Sequence, residues 1–214
     1  MASAQKNANA SQLTSIDSSF IKKENPARFK IGHFFKNETL CAILLNKYKT
    51  NDSAETYFNL RFFEKTKDSW AIKNEYDSLE ISGILEDRFA NFNEDKLPDY
   101  LVKAGIVGTG GNETEYLFLF NASVKSLMLV KGFENIPNTS FDNKSGVITS
   151  IGMAAGMPNT VYYKINNYHP TEIGGKNIWT DEEYAYLEKY RIKNGKKIVF
   201  YKERKKLPFD MDEW

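Results

Sequence analysis

From residue 29 onward, apolar and polar residues alternate in short runs separated by turn-forming residues, a pattern that predicts strand after strand. Residues 29–35 and 39–45 read as short strands on either side of Lys36-Asn37-Glu38. Tyr57-Phe58-Asn59-Leu60-Arg61-Phe62-Phe63 alternates, and after residues 64–68 the chain returns through 69–73, predicting a hairpin with one buried and one wet face. Residues 78–85 fit either a strand or a short helix. Residues 100–107, 116–121, 124–130, 147–151 and 161–165 continue the strand pattern, with an irregular crossing at 133–137. Residues 152–159 form a small-residue stretch holding Met153 and Met157, read as a flexible connector or an adaptable contact surface. Near the C-terminus, Thr180-Asp181-Glu182-Glu183 has the form of a helix capping box. Against a helix stand the period-2 spacing of Tyr184, Tyr186, Tyr190 and Ile192 and the Asn194-Gly195 hairpin signal. The expected result is a long closing hairpin, with 180–182 at most a single turn. The predicted class is all-β, built of antiparallel β-hairpins, with one domain over 24–214 after a disordered or processed polar leader at 1–23.

Composition narrows the function more than the fold. The chain has 214 residues, 41% of them hydrophobic and 27% charged, and a net charge of +1. That is a soluble globular composition with no bulk attraction to nucleic acid or to a membrane surface. No apolar run is long enough to predict a membrane span. Fifteen Phe, 12 Tyr and 3 Trp suit strands and protein-binding surfaces. The single cysteine, Cys41, excludes an internal disulfide and sits in an apolar run, where a buried structural thiol is expected. His33 and His169 lie in no metal-ligand spacing, and no G-x-S-x-G elbow is present. Gly108-x-Gly110-Gly111 lacks the Gly-Lys-Ser/Thr of a phosphate cradle and runs into a predicted strand, so it reads as a hairpin turn. His169, in Asn167-Tyr168-His169-Pro170, reads as a surface loop residue. No catalytic residue is nominated, and the expectation is a binding protein and not an enzyme.

One local motif carries chemistry. Asn91, Asn93, Asp95 and Asp99 occupy relative positions 1, 3, 5 and 9 of a short loop, with the Leu97 carbonyl at position 7. This is the spacing by which a calcium loop turns alternate oxygens inward. Position 1 is Asn, and position 6, where an EF-hand loop uses Gly, is Lys96, so the expected cation is a weakly held, structural calcium. The bland alternative is a turn held by Asn side chains and Pro98.

Asn91-x-Asn93-x-Asp95-x-x-Pro98-Asp99, followed by Tyr100-Leu101-Val102, resembles the loop of FG-GAP-type repeats. Together with Glu115-Tyr116-Leu117-Phe118-Leu119-Phe120-Asn121, Phe133-Glu134-Asn135-Ile136-Pro137 and Phe141-Asp142, it resembles bacterial lysozyme-inhibitor-like proteins of pseudo-β-propeller fold. The loop occurs once, whereas a many-bladed propeller repeats it. The resemblance implies a β-propeller-like arrangement of the hairpins and an inhibitor or immunity protein that occludes the active site of a toxin or peptidoglycan hydrolase. The polar leader, which lacks the basic and apolar regions of a signal peptide, fits a periplasmic mature form whose signal is absent from this chain, with a cytoplasmic protein as the alternative. A calcium-dependent adhesion or carbohydrate-binding module is the competing function. The expected partner is the cognate enzyme, with no nucleic acid, and no contact residues are assigned.

Overall fold

The computed structural model describes residues 15–35, 39–49, 56–108, 111–154 and 157–208. Among the described residues one α-helix, α1 (Ser15–Glu24), precedes fourteen strands: β1 (Arg28–Gly32), β2 (Cys41–Lys49), β3 (Thr56–Lys65), β4 (Trp70–Glu80), β5 (Asp87–Ala90), β6 (Asp99–Val107), β7 (Asn112–Asn121), β8 (Ser126–Leu129), β9 (Thr139–Asp142), β10 (Val147–Ala154), β11 (Met157–Asn166), β12 (His169–Thr180), β13 (Tyr184–Lys193) and β14 (Lys196–Lys206). Among the described residues they form three antiparallel sheets in chain order, β1–β4, β5–β8 and β9–β14, each a meander in which every strand pairs with its sequence neighbour. The all-β expectation holds.

Strand alternation sorts the side chains into cores. In β2, Cys41, Ile43 and Leu45 point to one face, and Ala42 and Leu44 to the other. The first set joins Phe58, Leu60 and Phe62 of β3 against Tyr100, Val102, Phe118 and Phe120, forming the core between the first and second sheets. On the far face of the second sheet, Leu101, Leu117 and Leu119 pack with Phe133 and Ile148, forming the core shared with the third sheet. The second sheet is therefore covered on both sides. This is why residues 99–102 and 117–120 are buried without a break and read as continuous apolar runs in place of alternation.

Hydrogen bonds tie the layers. The Tyr76 hydroxyl donates to the Leu127 carbonyl at 2.6 Å, joining β4 to β8. Asn112 accepts from the Met153 amide at 3.0 Å and donates to the Met153 carbonyl at 3.3 Å, joining β7 to β10.

Several expectations are corrected. Residues 15–23, read as part of a polar leader, belong to α1, which covers the outer face of the first sheet. Phe20 stacks on Trp70 and meets Phe63 edge-on, both at 4.9 Å, and Asn46 donates to the Glu24 carbonyl at 2.8 Å. Residues 1–14 and 209–214 lie outside the described residues. Residues 78–85 are neither one strand nor a helix: β4 ends at Glu80 and an irregular segment follows. His169 opens β12 and does not sit in a loop, though it is exposed as expected. The segment around Met153 and Met157 continues β10 and β11, which pair as far as Ala154 with Met157; Ala155 and Gly156 lie outside the described residues. In β13, Ala185 and Leu187 are buried from the face opposite Tyr184 and Tyr186, while Tyr190 is buried from the tyrosine face.

Candidate functional site

The 91–99 loop connects β5 to β6, and its side chains hold its shape through three successive turns of the same kind. Asn91 Oδ1 accepts from the Asn93 amide at 3.1 Å, Asn93 Oδ1 from the Asp95 amide at 3.0 Å, and Asp95 Oδ1 from the Leu97 amide at 2.7 Å. This is the local bonding that makes Asn and Asp turn formers. Lys96 takes a φ of 62°, the left-handed backbone that Gly supplies at this position in an EF-hand loop. Phe92 anchors the loop: it is buried, meets Phe133 edge-on at 5.6 Å and stacks on Phe141 of β9 at 6.1 Å.

Asp99 is the chemically distinctive member of the set. It is fully buried, and its Oδ2 accepts from the Phe92 amide at 2.7 Å. Its Oδ1 is buried with no hydrogen bond of good geometry. Burial pushes the carboxyl up to about 7, opposed by the Phe92 and Phe120 amides and reinforced by the Asp95 charge. A buried carboxylate oxygen without a partner costs free energy unless it is protonated or meets a cation. No group of three or more His, Cys, Asp or Glu is gathered anywhere among the described residues. The donors in the loop are thus two carboxylates, two amide oxygens and a backbone carbonyl, a set that fits a hard, oxygen-seeking cation and not a transition metal. The structure brings Asn91, Asn93, Asp95, Leu97 and Asp99 into one short loop; position 12 is Val102, so the bidentate Glu of an EF-hand is missing.

A second feature escaped the sequence reading. The segment after β4 is pinned at both ends to one stretch of β6: the Ser82 amide donates to the Ala104 carbonyl at 2.8 Å and the Lys103 amide donates to the Glu86 carbonyl at 2.9 Å. Gly105 leaves room for the Ser82 hydroxyl, which a Cβ there would meet at 2.0 Å. With its ends fixed, residues 83–85 form a tight excursion. Leu85 packs back against the core between the first two sheets, Gly83 has a φ of 86°, and Ile84 is 74% exposed. Ile106 and Val107, at the end of β6, add 59% and 47% exposed apolar side chains. Beside them lies a depression of about 510 Å³ edged by Glu80, Tyr116 and Glu134. A β-bulge between Lys103 and Gly105 interrupts the β6–β7 ladder at this point, and such bulges re-aim side chains at sheet edges. The sequence signal was the Ser82-Gly83 pair ending an apolar run, which marks a turn but not what the turn displays.

No protein-family model and no curated protein matches the chain. Among solved structures it is similar to a Xanthomonas type IV secretion system related protein, with a TM-score of 0.52 and 14% identity, over 92% of this chain and 98% of that one. The likeness is one of fold. It spans nearly the full length of both chains.

Proposed function

We propose that this chain is a binding protein that neutralises a lytic or toxic enzyme by blocking its active site, in the manner of an immunity protein or a peptidoglycan-hydrolase inhibitor. The observation that carries the reading is the pinned 82–86 loop. A rigidly held excursion with an apolar tip enters a cleft without the entropic cost of ordering a flexible one, and a few buried anchors dominate such interfaces. Ile84 is the anchor, Ile106 and Val107 add exposed apolar surface at the end of β6, and Glu80, Tyr116 and Glu134 edge the depression beside those two. The fold likeness to a type IV secretion system related protein agrees with a secretion-associated role. A hydrolase target would put the protein in the periplasm. The 91–99 loop serves this function as scaffold: Asn91, Asn93, Asp95, Leu97 and Asp99 hold a structural calcium that keeps the β5–β6 connection fixed and takes no part in chemistry.

The test is capture from native cell lysate with tagged wild-type and Ile84→Asp proteins, with and without chelator, followed by an activity assay of the captured enzyme. The expected outcome is one near-stoichiometric hydrolase or toxin, held in chelator, inhibited by the wild type and released by the variant at unchanged thermal stability. A captured enzyme that remains active, or capture indifferent to Ile84→Asp, overturns the reading. Retention of glycan alone, only in calcium, would point to an adhesion module.

A further inference from the structure

The solvent face of the third sheet holds a built slot that neither the 91–99 loop nor the pinned loop touches. Ile148, Tyr163 and Ile165 pack into the core, so alternation sends Thr149 of β10 and Tyr162 of β11 outward. The strand register then aligns a single row across four strands: Thr149 opposite Tyr162, Tyr162 opposite Gly174, and Gly174 opposite Arg191. In that row Gly174 has no side chain, and none fits easily, because a Cβ there would lie 2.6 Å from the Tyr190 carbonyl oxygen. The gap separates an exposed tyrosine ring from an exposed guanidinium by two strand spacings, about 10 Å.

The gap is the floor of a trough of about 460 Å³ that also takes in Phe200 and the Asp142–Ser145 turn. Phe200 is 62% exposed and Tyr162 36%. Among the described residues the Arg191 guanidinium makes no hydrogen bond, ion pair or ring contact. Asp142 is held in its ionised form by the Ser145 hydroxyl and the Lys144 amide. The trough thus combines two aromatic walls, one uncommitted guanidinium, a carboxylate, and the Thr149 and Ser145 hydroxyls.

We infer that this trough binds a carboxylate-bearing saccharide. A pyranose ring lies in the trough with its apolar C–H face against Tyr162 and Phe200. The guanidinium takes the carboxylate with its two-pronged donor geometry. Asp142, Ser145 and Thr149 accept from or donate to ring hydroxyls. The Asp142 charge disfavours a doubly charged phosphate more than a singly charged carboxylate. The site is independent of the enzyme-blocking function proposed above and needs no calcium.

The test is a titration of the full-length protein, followed by backbone amide NMR, with methyl β-D-glucuronide, methyl β-D-glucoside, glucose 1-phosphate and benzoate. The glucuronide is expected to shift the Tyr162, Gly174 and Arg191 amides in calcium and in chelator alike, and to bind about tenfold more tightly than the glucoside. Arg191→Gln should bring the glucuronide down to the glucoside's affinity, and Tyr162→Ala should abolish both, each with thermal stability checked. Absence of shifts at these amides, equal binding of glucose 1-phosphate or benzoate, or an Arg191→Gln protein that still prefers the glucuronide would each overturn the assignment.

Discussion

Asp99 ties the loop chemistry to stability. Its folded pKa of about 7 stands above the ordinary 3.8, because burial penalises the charged form. Between those two values the native state holds a proton that the unfolded chain has released. Stability therefore falls as pH rises through that window, and the loss is complete above about pH 7. Its upper size is about 4 kcal/mol, three units at about 1.4 kcal/mol each. In chelator, the thermal midpoint should be lower at pH 8 than at pH 5. Asp99→Asn should flatten that slope, since the amide oxygen still accepts from Phe92 and no charge is buried. Calcium should restore the wild type more at pH 8 than at pH 5, because the cation binds the ionised carboxylate. An equal slope in Asp99→Asn, by differential scanning calorimetry, would remove Asp99 as its source.

At the level of elements, α1 is held by a short list of contacts, and Phe20 is the main one. Its ring is half-buried between Trp70 and Phe63. Phe20→Ala should cost about 2 kcal/mol, roughly half the value for a fully buried phenylalanine, read by urea denaturation. A change within a few tenths would mean that the first sheet does not depend on the helix. Why α1 was not legible follows from its sequence: SIDSSFIKKE has three large apolar residues against a polar majority, so only the docked ring reveals it. The β3–β4 and β13–β14 hairpins were legible because alternation and Asn194-Gly195 are local signals, with Asn194 and Gly195 at φ values of 52° and 70°. β12 was not, since HPTEIGGKNIWT carries a proline and two glycines and reads as a loop. It becomes a strand because β11 and β13 pair with it from both sides, and its glycines accommodate the close approach of Tyr190. The same division separates the two sites. The 91–99 loop is written in consecutive residues, whereas the exposure of Ile84 depends on bonds between residues 82–86 and 103–104, and no local pattern encodes that pairing.

For the whole molecule, the second sheet is the common wall of both large cores, and this makes a prediction about cooperativity. Leu60 is buried between the first and second sheets, and Leu101 between the second and third. If the layers folded as separate units, removing either side chain would lower one transition and leave another in place. They do not have separate walls: Leu101 and Val102 are adjacent in β6 and face opposite cores, so loosening one face of that strand loosens the other. Tyr76 and Asn112 bond the outer sheets to it from the two sides. Leu60→Ala and Leu101→Ala should each cost about 2–5 kcal/mol, as buried leucine truncations do. Each should move one and the same unfolding transition, with fluorescence and circular dichroism coincident. Trp70 and Trp179 report from the first and third sheets, so a Leu101→Ala protein in which Trp179 responds before Trp70 would show that the third sheet unfolds on its own. Coincidence in both variants would establish that the pinned loop, the 91–99 loop and the third-sheet trough are held by one cooperative structure.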